Sequence, residues 1–227
     1  MLLVIPQLLP RAKAVALRER IAAATWVDGN VTSGAGAALA KNNRQLPEDG
    51  EAACAARVEV SRALAASPLF LSAALPRVIF PPLFNRYGPG CGFGAHVDNA
   101  IRVEPASGRR IRTDLSATLF LTDPEDYDGG ELLIEDRYGA TGHKCAAGDM
   151  LLYPSTSLHS VATVTRGERI SCFFWLESMV RDDDARTLLF DLDQSIQTLG
   201  AERGRDDAEV LRLTQVYHNL MRRWADA

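Results

Sequence analysis

A mainly β fold with flanking helices is the class this sequence predicts, from three features of its texture. From Val78 to about Ser178 the chain runs in short β-type segments punctuated by turn residues. No helical period interrupts those segments, so the middle reads as a sandwich, a barrel or a double-sheet jelly roll. On either side the apolar residues return to helical spacing.

The segment 1–77 is Ala-rich and helical in character. Pro10 opens an amphipathic run in which Val15, Leu17, Ile21 and Trp26 recur at near-helical spacing, and Asp28-Gly29 ends it. A Gly/Asn-rich stretch follows over residues 30–43. A second helical run extends from Glu51 to Ala66 and stops at Ser67-Pro68. The core, 78–178, offers seven strands: Val78–Tyr87, Ala95–Ile101, Leu115–Leu121, Glu131–Glu135, Met150–Tyr153, Ser160–Val164 and Ile170–Leu176. Asp128-Gly129-Gly130 and Gly148-Asp149 are turns between them. The segment 179–227 returns to helix. Leu188, Leu189, Leu192, Ile196 and Leu199 mark one apolar face, and Val210, Leu213, Val216, Leu220 and Trp224 another. The expected layout is a helical prelude packing on one β core, closed by a C-terminal helical pair.

At 227 residues and 47% hydrophobic, the chain is long enough for one substantial core. The net charge of −4 gives no basic face for a nucleic-acid partner. The apolar start, Met1 to Pro10, is cut by Pro6 and Pro10 and does not read as a signal peptide. No stretch approaches the roughly 20 apolar residues a membrane span requires. Cys54, Cys91, Cys145 and Cys172 are scattered and form no C-x-x-C pair, which suits reduced thiols in the cytoplasm. Oligomeric state is left open, since the C-terminal helices have surface for their own core or for a second subunit.

Candidate chemistry rests on two of the four histidines. His96-Val97-Asp98 lies in an expected strand, where alternate residues share a face, so His96 and Asp98 point the same way. His159 opens another expected strand 61 residues after Asp98. Two imidazoles and one carboxylate can occupy one triangular face of an octahedron and leave three positions open, as in non-haem iron(II) oxygenases. A His-x-Asp pair alone is a weak signal. Arg169, ten residues after His159, with Ser171 on the same strand face, strengthens it. A guanidinium there can fork onto the distal carboxylate of 2-oxoglutarate, and the Ser171 hydroxyl can add a second bond. The polar segment Arg102–Arg112, with four arginines, reads either as a lid favouring an anionic substrate or as a solvated hairpin loop.

The motifs together resemble the prolyl-4-hydroxylase-type oxygenases, and more closely the bacterial PKHD-type hydroxylases. The matching segments are Arg86-Tyr87-Gly88-Pro89-Gly90, Phe93-Gly94-Ala95-His96-Val97-Asp98, Tyr127-Asp128-Gly129-Gly130-Glu131-Leu132, Leu158-His159-Ser160-Val161 and Arg166-Gly167-Glu168-Arg169-Ile170-Ser171. Further matches at Trp26-Val27-Asp28-Gly29 and Leu188-Leu189-Phe190-Asp191 carry the likeness over nearly the whole chain. The resemblance implies a double-stranded β-helix (jelly-roll) core with iron held by His96, Asp98 and His159 and 2-oxoglutarate held through Arg169. Tyr87 matches a tyrosine near the co-substrate in relatives, and it reads equally as a core aromatic. Dioxygen is the implied second co-substrate, and ascorbate the usual helper. No catalytic residue beyond the metal ligands is implied. His143, in a Gly-rich turn, and His218, in the last helix, fall outside the motifs and are expected at the surface.

The implied reaction is hydroxylation of a C–H bond, coupled to decarboxylation of 2-oxoglutarate to succinate. Phe93, Leu119, Phe173 and Trp175 are candidates to line or support the shielded site. The substrate, small molecule or peptide, is not identified by any residue pattern. Two other classes use similar ligands. A cupin-like metal hydrolase has no need of Arg169-x-Ser171, and a non-catalytic iron- or oxygen-responsive binding protein has no need of both triad and anion clamp.

Overall fold

In the computed structural model, which describes residues 1–29, 41–136 and 139–226, the strands of the middle region form two large antiparallel sheets and two short two-stranded ribbons. Residues 30–40 of the expected Gly/Asn-rich stretch lie outside the described residues. The chain opens with β1 (Leu3–Ile5), α1 (Arg11–Ala22) and β2 (Val27–Asp28), followed by β3 (Lys41–Asn42), β4 (Arg44–Gln45), α2 (Glu51–Ala65) and α3 (Pro68–Ala74). Then come β5 (Pro76–Ile79), β6 (Leu83–Tyr87), β7 (Gly92–His96), β8 (Ile101–Val103), β9 (Arg110–Arg112) and β10 (Leu115–Phe120). Next are β11 (Tyr127–Asp128), β12 (Leu132–Asp136), β13 (Gly139–His143), β14 (Met150–Pro154), β15 (Leu158–Val161), β16 (Arg166–Gly167) and β17 (Arg169–Ser178). Helices α4 (Asp183–Arg203) and α5 (Ala208–Trp224) close the chain.

The larger sheet has the order β1-β14-β10-β17-β6-β4-β2, with β5 also paired to β17. The smaller runs β13-β12-β15-β7-β3. Two facing sheets with helices over the outer face of the larger one are the jelly roll expected.

Strand alternation divides the interior into two cores. On β10, Leu115, Ala117 and Leu119 face outward into a cluster with Leu17 and Ile21 of α1, Val60 and Leu64 of α2 and Phe70 of α3. Ile170, Cys172, Phe174 and Leu176 of β17 join that cluster. The other parity points between the sheets, where Tyr87, Phe120, Leu151 and Tyr153 meet Leu132, Ile134 and Val161 of the smaller sheet. Burying apolar side chains on both faces explains why these central strands read as almost continuous apolar runs.

Several elements differ from expectation. Val78–Tyr87 is two strands, because Pro81 and Pro82 have no N–H to give a ladder. The run from Glu51 stops before Ser67-Pro68 as expected, but the same pair also starts a further helix: the Ser67 hydroxyl accepts from the Phe70 N–H at 3.2 Å, and Pro68 takes a first-turn position where its missing N–H costs nothing. The prelude also supplies strands, since β1 pairs with β14 and β3 with β7. Gly139–His143 is a strand paired to β12, so His143 is half-buried in a ladder and not in a surface turn, while His218 is exposed as expected. On the last helices, Leu188 and Val216 point outward, and Tyr217 joins Leu189, Leu220 and Trp224 in the apolar seam. The helical repeat of 3.6 places residue 217, and not 216, under residue 213.

The turn into β17 depends on Gly167, at φ 71° with a Cβ position only 2.1 Å from the Asp126 carbonyl oxygen. Backbone faces backbone there, so no side chain can swing aside. Gly167→Ala should therefore destabilise the protein by about 2–4 kcal/mol, measured by urea unfolding; a change within experimental error would show that the turn relaxes freely.

Asp123 ties α1 to the loop before β11. Its carboxylate accepts from Arg11 at 2.6 and 3.2 Å and from the Ala147 N–H at 3.0 Å. Burial pushes its pKa up, but these bonds outweigh burial and leave it below the usual carboxylate value. A depressed folded-state pKa gives stability that is complete above the unfolded pKa and is lost as pH falls through the folded one. Asp123→Asn should cost about 1–2 kcal/mol at pH 7 and flatten the acid limb of the stability–pH curve below about pH 4. Parallel acid limbs in the two proteins would contradict this.

Candidate active site

His96, Asp98 and His159 come together between the sheets, with their ligand atoms all within 4.8 Å of one another. Antiparallel pairing of β7 with β15 makes His96 and His159 register partners, and their ring centroids lie 4.2 Å apart. Each Nδ1 sits against a backbone carbonyl, Gly94 O at 2.9 Å for His96 and Ser157 O at 3.0 Å for His159. A carbonyl only accepts, so both Nδ1 atoms carry the proton and both Nε2 lone pairs are left for a metal. Burial, and then the charge of His159, lowers the pKa of His96, which favours the neutral imidazole a metal needs. Phe93 stacks on His96 at 3.6 Å between centroids and sets the ring plane.

The expected shared strand face for His96 and Asp98 is not how the pair is built. Strand β7 stops at His96, and Asp98 lies in the irregular segment beyond it. Its carboxylate is held instead from β10, where the Ser116 hydroxyl donates to Oδ2 at 2.6 Å and also contacts the Ser155 hydroxyl at 2.7 Å. Asp98 Oδ2 and His159 Nε2 are 3.7 Å apart. Two imidazole nitrogens and one carboxylate oxygen are a donor set that suits iron(II) and leaves positions open for further ligands.

Arg169 begins β17 and is 2% exposed, so its charge is almost wholly removed from water. Nη1 donates to Ser171 Oγ at 2.8 Å, and Ser171 donates to Asn85 Oδ1 at 2.5 Å. The Tyr87 and Phe120 rings flank the guanidinium at 5.3 and 5.4 Å. The buried Nε has no hydrogen-bond partner, and the buried Tyr127 hydroxyl nearby has none either. A buried cation with an unused donor is costly unless an anion completes it, and the distal carboxylate of 2-oxoglutarate fits that place. Ser171, expected to bond that carboxylate, is committed to Arg169 and Asn85. Tyr87 is a core aromatic, 1% exposed, whose ring also lines the cavity.

One cavity joins these groups, lined by the triad and Arg169 together with Phe93, Phe173 and Trp175. Leu119 takes no part, because its parity on β10 sends it into the outer core. Sequence reasoning missed Ser116, Thr118, Asn85, Tyr153 and Lys41, all of which line the cavity. Ser116 and Thr118 left one trace, as hydroxyls alternating with apolar residues in Leu115–Phe120, one face of a strand reserved for a polar purpose. Lys41 belongs to a segment, Lys41–Leu46, that also resembles the family, but no strand period marks it, since β3 reaches the site only through its pairing with β7.

Residues 82–177 match the model of the 2OG-Fe(II) oxygenase superfamily, and residues 183–226 match the PKHD-type hydroxylase C-terminal domain. PKHD-type hydroxylases of Methylobacillus flagellatus and Rhizorhabdus wittichii are 60% and 58% identical to this chain over 227 residues, covering all of each chain. Among solved structures, a Pseudomonas putida prolyl-4-hydroxylase superposes with a TM-score of 0.54 at 22% identity, over 78% of this chain and 92% of the other. A prolyl hydroxylase of Trichoplax adhaerens, in complex with a hypoxia inducible factor peptide fragment, gives 0.58 at 14% identity, over 82% and 86%. HygX of Streptomyces hygroscopicus, with nickel and 2-oxoglutarate bound, gives 0.52 at 17%, over 76% and 81%.

The Ser116–Asp98 bond yields a test. Ser116→Ala should weaken iron(II) binding by about 10- to 100-fold, because a ligating carboxylate that loses its supporting donor loses its orientation. Anaerobic titration calorimetry measures this, and unchanged affinity would show that Asp98 is held by other means.

Proposed function

The chain belongs to the PKHD-type hydroxylases of the 2OG-Fe(II) oxygenase superfamily, and from that premise we propose that His96, Asp98 and His159 hold the iron and Arg169 the 2-oxoglutarate. The enzyme is an iron(II)- and 2-oxoglutarate-dependent dioxygenase that hydroxylates a substrate C–H bond, with ascorbate as the reductant typical of the family. The observation that carries the residue assignment is the joining of the triad and the buried, incompletely bonded Arg169 in one cavity.

When bound, iron and 2-oxoglutarate together supply oxygen activation, with one oxygen atom passing to substrate and the other to succinate. The remaining work belongs to the chain. Gly94 and Ser157 carbonyls keep each Nδ1 protonated and each Nε2 aimed inward. Ser116 fixes Asp98. Asn85 and Ser171 brace Arg169, a positioning role for both, and Arg169 holds the co-substrate at one end. Tyr87, Tyr153, Leu132 and Val161 wall that end off from water.

The jelly roll, 78–178, is the catalytic unit, with 1–77 and 179–227 packed on it as supporting segments. The substrate is a peptidyl residue, an amino acid or a small metabolite. The peptide bound to the Trichoplax neighbour supports the first, and the net charge of −4 speaks against nucleic acid. Among the described residues no helix is long and apolar enough to cross a membrane. The four free thiols fit a reducing compartment such as the cytoplasm.

Anaerobic addition of iron(II) and 2-oxoglutarate should produce a weak visible charge-transfer band, and admission of air should release succinate. Arg169→Ala should raise the KM for 2-oxoglutarate by roughly a hundredfold, the cost of truncating a buried charged contact. Asp98→Ala or His159→Ala should abolish the band and the succinate. Succinate release that survives loss of either ligand would sink the metal assignment.

A further inference from the structure

Strand β17 runs along the cavity and presents Arg169, Ser171, Phe173 and Trp175 on its inner face. At about 3.3 Å per residue the Cα atoms of Arg169 and Trp175 stand roughly 20 Å apart, so Trp175 marks the end of the cavity away from the co-substrate clamp. A second guanidinium occupies that end. Arg102 lines the cavity, and its Cζ lies 3.9 Å from the Trp175 ring centroid and 5.2 Å from that of Phe80. Among the described residues Arg102 forms no ion pair and no side-chain hydrogen bond, and its buried Nε is unpartnered.

The segment that carries Arg102 is a built hairpin, with Arg102 opposite Ile111. Ile111 is 1% exposed and packs in one cluster with Phe80 and Trp175. At the base, Arg112 binds the Asp114 carboxylate at 2.7 and 2.9 Å, and the Thr113 hydroxyl donates to the Asn99 carbonyl at 2.6 Å. Arg109 and Arg110 are exposed near the tip. Of the four arginines, Arg102 alone lines the cavity.

Resting on the iron and 2-oxoglutarate assignment above, we propose that Arg102 is a substrate-binding residue that receives a carboxylate, so that this enzyme acts on carboxylate-bearing substrates. The charges of iron, Asp98, the 2-oxoglutarate dianion and Arg169 cancel. Lys41, which donates to the Gly29 carbonyl at 2.7 Å and is held down to about 8 by burial and by Arg102, has the Asp28 carboxylate acting on it. Arg102 is reached by the charges of Asp98 and Glu48 but is paired with neither. A single guanidinium in the cavity with no ion-pair partner suits a singly charged planar carboxylate better than a phosphate dianion. A guanidinium held over an indole with an unpartnered Nε has donors to give such a planar group. Such an anchor shares the cavity with the triad and lies toward the end away from Arg169, where it would orient a substrate.

Two matched probe pairs test this: N-acetyl amino acids against their N-methylamides, and capped Xaa-Asp against capped Xaa-Asn dipeptides. The readouts are substrate-stimulated succinate release and mass gain of one oxygen. The wild-type enzyme should prefer acids over their amide partners by at least about tenfold in kcat/KM, because a site built for a charged bond rejects the partner that lacks it. The pair showing the preference tells a main-chain carboxylate from a side-chain one. Arg102→Gln should bring the acid-to-amide ratio close to one, chiefly through KM, and Arg102→Lys, which keeps the charge, should retain the preference. The assignment is overturned if amides serve as well as acids, if Arg102→Gln keeps the ratio, or if neither pair is oxidised while 2-oxoglutarate is still turned over. No succinate under any condition would instead overturn the iron and 2-oxoglutarate assignment beneath it.

Discussion

The two-faced burial of β17 is the constraint on which the rest of the molecule depends. Held between β10 and β6, this strand must satisfy an apolar helical layer on one side and a polar cavity on the other. Side chains alternate along it, so Ile170, Cys172, Phe174 and Leu176 can be given wholly to stability while Arg169, Ser171, Phe173 and Trp175 serve the site. A slip of one residue in register would put a guanidinium into the helix-packed core and bring the apolar set into the cavity. The sharp turn at Gly167 enforces that register just before Arg169.

Around this strand the site is held by hydrogen bonds one step away from the proposed metal ligands. The imidazoles are oriented by carbonyls two residues before them, the carboxylate by a serine on another strand, and the buried arginine by a serine and an asparagine. Removing a charge from water is costly, and these supports recover only part of that cost for Arg169. A buried donor without a partner is a stabilisation available only to the anion that completes it. Arg102 shows the same feature at the other end of the cavity.

Local signals in the chain foretold much of this. The strand texture of 78–178, the helices flanking it, and the residues His96, Asp98, His159 and Arg169 are legible because strand period, turn residues and ligand types are written locally. The differences come from what short-range signals leave out. Ser67-Pro68 serves as both stop and start because proline suits both places. Gly139–His143 hid as a turn because its stability comes from pairing with β12, not from its own composition. Leu119 and Phe173 look alike in sequence, and the parity of their strands separates them.

What the sequence by itself determined is therefore the fold class and the residues proposed as metal donors and anion clamp, since each depends on residue type and short-range spacing. Tertiary structure decided what holds them. Asp98 lies outside the strand that carries His96, and only the pairing of β10 in the other sheet brings Ser116 to its carboxylate. Lys41 reaches the cavity through β3 on β7, and Arg102 through a hairpin laid against Trp175. Contacts between residues tens of positions apart are set by the register of the two sheets, and no local pattern encodes that register alone.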